Sequence, residues 1–217
     1  MKKELKIQSI VVNAQSFNTT IFNRHWLVKN NFVDESEIQS DSIFAPNLTQ
    51  VVTRKFNLLV VPEQLQFIAG PESTDFERDI ESSLLPIINK LQDIPYKALG
   101  LNLNWFLKDE KKSMTTLTTD MFFNHKSDLF EYFNGDNSRF GAFLSKNFLN
   151  TCLKLDIKPV SLNMGDNSMV RIAEHIVCNF NFHLDLSNPD TAQIDIVETI
   201  KLWNEFKKES EKIIELL

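Results

Sequence analysis

The 217 residues include 42% hydrophobic and 24% charged side chains, with a formal net charge of −6. That composition excludes a disordered chain, which needs fewer apolar residues and a larger charge imbalance. The acidic balance argues against a broad surface for nucleic-acid phosphates. The length predicts one domain over 1–217. Its 18 Phe, against 2 Tyr and 3 Trp, predict a Phe-rich core, because Phe has no polar tip to satisfy.

In chain order, residues 5–13 alternate and carry β-branched side chains, which predicts a strand. Asn23 is placed to cap a short helix carrying Trp26 and Leu27, with Asn30 and Asn31 ending it. The polar, acidic stretch from Val33 to Asn47 reads as an exposed loop. Residues 49–61 and 64–69 read as a hairpin turning at Pro62-Glu63, stopped by Gly70-Pro71. A helix follows, with Thr74 and Glu77 as a capping box and Phe76, Ile80, Leu84, Ile87, Ile88 and Leu91 as its apolar stripe. Pro86 lies within that stripe and predicts a kink around 82–86.

Residues 96–107 predict a buried strand, and Lys108 to Lys112 a solvated loop. A helix is expected over 118–133, closing at Asn134-Gly135. From 149 onward a strand carries Leu149, Thr151, Leu153, Leu155 and Ile157 on one face, and 163–167 turns the chain. The clearest alternation comes next. Val170, Ile172, Ile176, Cys178, Phe180, Phe182, Leu184 and Leu186 fall on one face, with Glu174 the exception; Arg171, His175, Asn179, Asn181, His183 and Asp185 fall on the other. So long a run, about 55 Å, predicts a bulge near Glu174. Ser187-Asn188-Pro189 opens a long C-terminal helix with Ile196, Ile200, Trp203, Phe206, Ile213 and Leu217 as its stripe. Its spacing from 203 to 217 resembles a coiled-coil seam interrupted by Ser210, and docking on its own sheet is the favoured reading.

The expected fold class is therefore α+β: a largely antiparallel sheet with helices mainly on one face. The first six elements match a ferredoxin-like split βαβ arrangement, extended by the two long strands. The segments Leu65-Gln66-Phe67-Ile68 and Ala98-Leu99-Gly100-Leu101-Asn102-Leu103-Asn104-Trp105, with Trp203 in the last helix, resemble a pattern in some bacterial or phage-associated α+β proteins of unknown activity. The resemblance implies a bacterial or phage-associated origin and carries over no residue roles.

The search for chemistry returns little. The 5 glycines are too dispersed for a phosphate-binding loop. No Gly-x-Ser-x-Gly elbow or His-Glu-x-x-His motif occurs. Cys152 and Cys178 fit neither zinc nor thioredoxin spacing, and neither has a histidine at a telling distance in sequence. His183 and Asp185 share a strand face and are close enough to converge on an ion; His125 and Asp128 are i,i+3 neighbours with Asp120 nearby. These two pairs are the weak candidates for metal or acid–base work, and no catalytic, cofactor or metal site is assigned. Asp75, Glu77, Asp79 and Glu81 suit a helix start. The basic clusters at Lys2-Lys3-Lys6, Arg54-Lys55 and Lys108 to Lys112 are short and read as solvated, so nucleic acid is not the expected partner.

Lys2 to Lys6 followed by Ile7 to Val12 starts like a signal peptide, but Gln8 and Ser9 break the apolar run. No stretch approaches the eighteen or so apolar residues of a membrane span. A cytoplasmic protein with reduced thiols and no membrane association is expected. The expected function is a non-enzymatic interaction subunit of a bacterial intracellular complex, with a protein partner or self-association and no cofactor. A small-molecule enzyme or ligand-binding module is the alternative, and a nucleic-acid-linked accessory role the third.

Overall fold

The structure, a computed structural model, describes residues 1–91, 93–133, 135, 138–163 and 172–217. The expected turn at 163–167, the alternation at Val170 and Arg171, and the Asn134 stop signal fall on or across residues outside that set. Strand β1 (Lys2–Ala14) leads to helix α1 (Arg24–Lys29), where the Asn23 side chain accepts from the Trp26 amide at 3.0 Å. Asn31, at φ 58°, takes the left-handed conformation that ends the helix. The stretch expected as an exposed loop buries Val33 and Ile38 and contributes the short strand β2 (Ile43–Ala45). Residues 49–61 form two strands, β3 (Leu48–Val52) and β4 (Phe56–Val61), because the Thr53 hydroxyl closes a turn onto Phe56. Strand β5 (Gln64–Ala69) completes the hairpin at Pro62-Glu63.

Asp75, rather than Thr74, caps helix α2 (Phe76–Asp79), accepting from the Arg78 amide at 3.1 Å. The helix then widens into one π turn, Ile80–Leu84, before α3 (Leu85–Lys90). Pro86 has no amide to offer the preceding turn, and the ladder slips so that the Leu85 amide reaches the Ile80 carbonyl. After β6 (Tyr96–Lys108), the region expected as one helix is two, α4 (Met114–Phe122) and α5 (Asp128–Phe133). Strand β7 (Ala142–Phe148), not anticipated from sequence, pairs with β8 (Thr151–Asn163), and β8 with β9 (Ile172–Asp185). The C-terminal helix is also two, α6 (Ala192–Lys201) and α7 (Trp203–Glu215).

The nine strands form one sheet in the order β2-β3-β4-β5-β1-β6-β9-β8-β7, with every pairing antiparallel. The chain is thus α+β with a large antiparallel sheet; the split βαβ detail is not among the features this order establishes. One row of opposed side chains crosses eight strands: Val51, Leu58, Phe67, Ile10, Leu101, Phe182, Leu153 and then Lys146 on β7. Every member before Lys146 is buried. Helices cover this face, and Trp203 and Phe206 on α7 pack into it, Phe206 lying 4.9 Å from Phe182 ring to ring. Ser210, the interruption in the supposed seam, accepts the Trp105 indole N–H at 3.1 Å, so α7 docks on its own sheet. Register is unbroken through β9, without the bulge expected near Glu174. Register keeps Glu174 on the helix face, where its carboxylate accepts the Met114 amide, an orphan donor at the start of α4. Among the described residues no helix is long and apolar enough to cross a membrane.

The two faces make opposite demands on substitutions. Phe182→Ala should cost about 3–5 kcal/mol, whereas Asn181→Ala, one residue away on the uncovered face, should cost about 1 kcal/mol, its hydrogen bond to Asn102. Urea unfolding of the two variants checks the assignment; equal losses would contradict it.

Candidate functional site

Three places in the fold gather side chains that the core does not use. The first is the uncovered face of the sheet. Its central row runs Gln50, Leu59, Gln66, Val11, Gly100, His183, Cys152 and Asn147, one residue out of step with the buried row. Carboxamides in the neighbouring rows hydrogen-bond across strands: Asn181 donates to Asn102 at 2.7 Å, and Gln64 to Asn13 at 3.0 Å. His183 and Asp185, expected to lie together, do so, with His183 Nε2 at 3.0 Å from Asp185 Oδ1. His175 is packed edge-on against Phe106, far along the same strand. Among the described residues no three His, Cys, Asp or Glu side chains converge as a metal-holding group.

The second place is a cavity of about 460 Å³ between α4, α5 and β9. Helix α4 starts at Ser113, whose hydroxyl accepts the Thr116 amide at 3.1 Å, and it ends at Phe122. The chain then turns: the Asn124 side chain accepts from the Lys126 amide, and the Ser127 hydroxyl accepts from Phe130 to begin α5. This turn folds His125 back on the preceding helix, with Nε2 at 3.3 Å from Asp120 Oδ1. Sequence spacing paired His125 with Asp128; within the described structure the carboxylate it meets is that of Asp120, because the single helix assumed for 118–133 is broken between them. Phe130 and Phe140, 5.2 Å apart, form an apolar wall, and Glu174 and Arg139 also line the cavity. Arg139 donates to the Ser161 hydroxyl at 3.0 Å. The Thr118 and Thr119 hydroxyls turn inward onto their own helix carbonyls, while Thr115, Thr116 and Asp120 of α4 line the cavity.

The third place is the β7 edge. Gly141 lets the chain enter it, since a Cβ there would collide with the Ile157 carbonyl oxygen. Phe143 on the uncovered face is 67% exposed, and Leu144 on the helix face is 48% exposed. Leu149, in the two-residue turn to β8, is exposed and left-handed at φ 51°. A branched apolar side chain is strained in that conformation. The turn is held by Asn150, which donates to Thr199 on α6 at 2.5 Å, and by Thr151, which donates to the Phe148 carbonyl. Helix α5, which meets the segment leading into β7 through Phe130 and Phe140, buries none of its residues, although it carries Leu129, Tyr132 and Phe133.

Of the basic clusters expected to be solvated, Lys108, Lys111 and Lys112 are exposed, and the other two make ion pairs at the surface: Lys3 with Glu215, Lys6 with Glu4, Lys55 with Glu37 and Arg54 with Glu72. No family model, curated protein or solved structure matches this chain.

The two thiols differ. Cys178 is fully buried on the helix face, where desolvation, reinforced by Asp156, pushes its pKa up to about 12. Its folded value stands above the ordinary 9.0, so its contribution to stability is complete below about pH 9 and is lost as the pH rises towards 12. Thermal melts over that range should fall with pH, and Cys178→Ala should fall less steeply. An unchanged slope would contradict the burial argument.

Proposed function

We propose that this protein is a non-enzymatic interaction subunit that docks a protein partner on the β7 edge. The partner contributes an extended segment that pairs with β7 and packs apolar side chains against Phe143, Leu144 and the α5 flank. The observation that carries this reading is β7 itself: a seven-residue edge strand exposed on both faces, entered from a segment whose Phe140 packs on Phe130 of a helix that buries nothing. Soluble proteins blunt such edges with short strands, charges or cover. The opposite edge, β2, is only three residues long, whereas β7 offers a row of backbone donors and acceptors suited to strand addition. Strain at Leu149 points the same way, because an unfavourable backbone that presents an apolar side chain to solvent gains nothing for the free protein. The two free thiols are in keeping with an intracellular complex, and the paired basic residues favour a protein partner over nucleic acid.

Capture from the protein's own cells tests this. The tagged protein should retain a stoichiometric partner that Phe143→Lys and Leu144→Lys lose, while Ile43→Lys on the β2 edge keeps it. Retention by all three variants, or a partnerless wild type, would overturn the reading. Leu149→Asn should raise the stability of the free protein by about 0.5–1 kcal/mol, since Asn tolerates the left-handed region, and should weaken capture. A loss of stability in that variant would contradict the strain.

A ligand-binding role has one specific observation in its favour, the cavity holding the Asp120–His125 pair. Native mass spectrometry of the purified protein would show a retained small molecule, lost in Asp120→Ala, if that role holds.

A further inference from the structure

The sheet assembles a constellation that sequence distance hides. Cys152 lies directly opposite His183 in the β8–β9 pairing, and both face the uncovered side. Residues so opposed in an antiparallel pair have Cβ atoms about 4.5–5.5 Å apart. His183 Nε2 is already engaged by Asp185 at 3.0 Å, which leaves Nδ1 as the nitrogen available to a neighbour. On the other flank of His183 stands Gly100, which has no side chain; the Asn181 amide nitrogen borders the position above it, 3.0 Å from where a Cβ would lie. The Cys152 thiol is half-buried, and its polar contact, the Leu153 carbonyl at 3.9 Å, is long enough to give up. Lys154, the next residue along β8 on the same face, places a positive charge near the thiol. The facing groups are therefore Lys154 on β8, His183 and Asp185 on β9, Gly100 on β6 and uncharged Asn147 on β7.

We infer that Cys152 is a reactive thiol that exchanges with low-molecular-weight disulfides on the uncovered face, with His183 as its proton acceptor and Asp185 as the residue that positions the imidazole. His183 Nδ1 takes the proton from Sγ as the sulfur attacks one atom of the disulfide. The S–S bond breaks, its electron pair leaves on the other sulfur, and that thiolate recovers the proton from the imidazolium. The products are a mixed disulfide at Cys152 and one free thiol, with no other oxidant needed. The register sets the thiol and the imidazole side by side, Asp185 holds the imidazole, and the reaction needs Sγ to rotate from the Leu153 carbonyl towards His183; Cys178, buried beneath the same sheet, is the internal reference. The inference does not rest on the β7 docking reading.

The test uses the native protein, glutathione disulfide and iodoacetamide, with each cysteine followed by peptide mass. Cys152 should form the mixed disulfide and alkylate at least about tenfold faster than N-acetylcysteine at neutral pH, an advantage on the low side of what a positioned base supplies. Cys178 should stay unmodified until the protein is denatured, which reports that each variant is folded. His183→Gln should slow Cys152 about tenfold or more. Asp185→Asn should slow it less and change the shape of its rate–pH profile. A Cys152 no faster than N-acetylcysteine, or an unchanged rate in a folded His183→Gln protein, would overturn the inference, since exposure alone would then explain its reactivity.

Discussion

Everything else in this fold depends on one constraint: the two-residue period of β1, β6, β8 and β9 divides a single wide sheet into an apolar face and an amide face. The row Val51, Leu58, Phe67, Ile10, Leu101, Phe182, Leu153 is continuous across seven strands and buried throughout. Sliding one strand by a single residue would bring Asn179, Asn181 and His183 under Trp203 and Phe206 and leave Phe180 and Phe182 in water. Burying unpartnered carboxamides costs several kcal/mol in total, and each exposed Phe forfeits about 1.5–3 kcal/mol, so register is strongly specified. The Asn181–Asn102 bond adds a second lock from the opposite side.

That lock explains where the unused chemistry lies. Helices α6 and α7 are occupied with the buried row, and Ser210 is spent on Trp105. Where the row reaches β7 it ends in Lys146, paired with Glu209 on α7, and the apolar cover stops. Phe143, Leu144 and Leu149 lie beyond it, together with an α5 that packs nothing into the core. The same register that excludes His183 from the core sets it opposite Cys152. Docking edge and thiol site are thus two consequences of one alternation.

Much of this was legible in the sequence. The alternation of 176–186 announced a half-covered strand, Asn23 announced its cap, and Pro86 announced a disruption that took the form of a π turn instead of a simple kink. Other features were not legible, for physical reasons. In β7 the Ser145-Lys146-Asn147 stretch carries no apolar period, because an edge strand exposed on both faces has no core to face. The break between α4 and α5 is made by hydrogen bonds that the Asn124 and Ser127 side chains accept from the turn, which apolar periodicity does not reveal, so the Asp120–His125 pair was invisible to i,i+3 counting. Glu174 looked like a flaw in an apolar face until α4 was seen to present the Met114 amide to it. The Cys152–His183 opposition exists only once β8 and β9 are in register.

The account's central claim is that the β7 end of the sheet is the working surface, and hydrogen–deuterium exchange of the free protein and of its captured complex tests it most directly. In the free protein the amides of β7 and α5 should exchange quickly while those of β6 and β9 stay protected. In the complex, protection should appear across 142–149 and 128–133, with the β2 edge and the helical face unchanged. New protection confined to β2, or to α6 and α7, would contradict the claim.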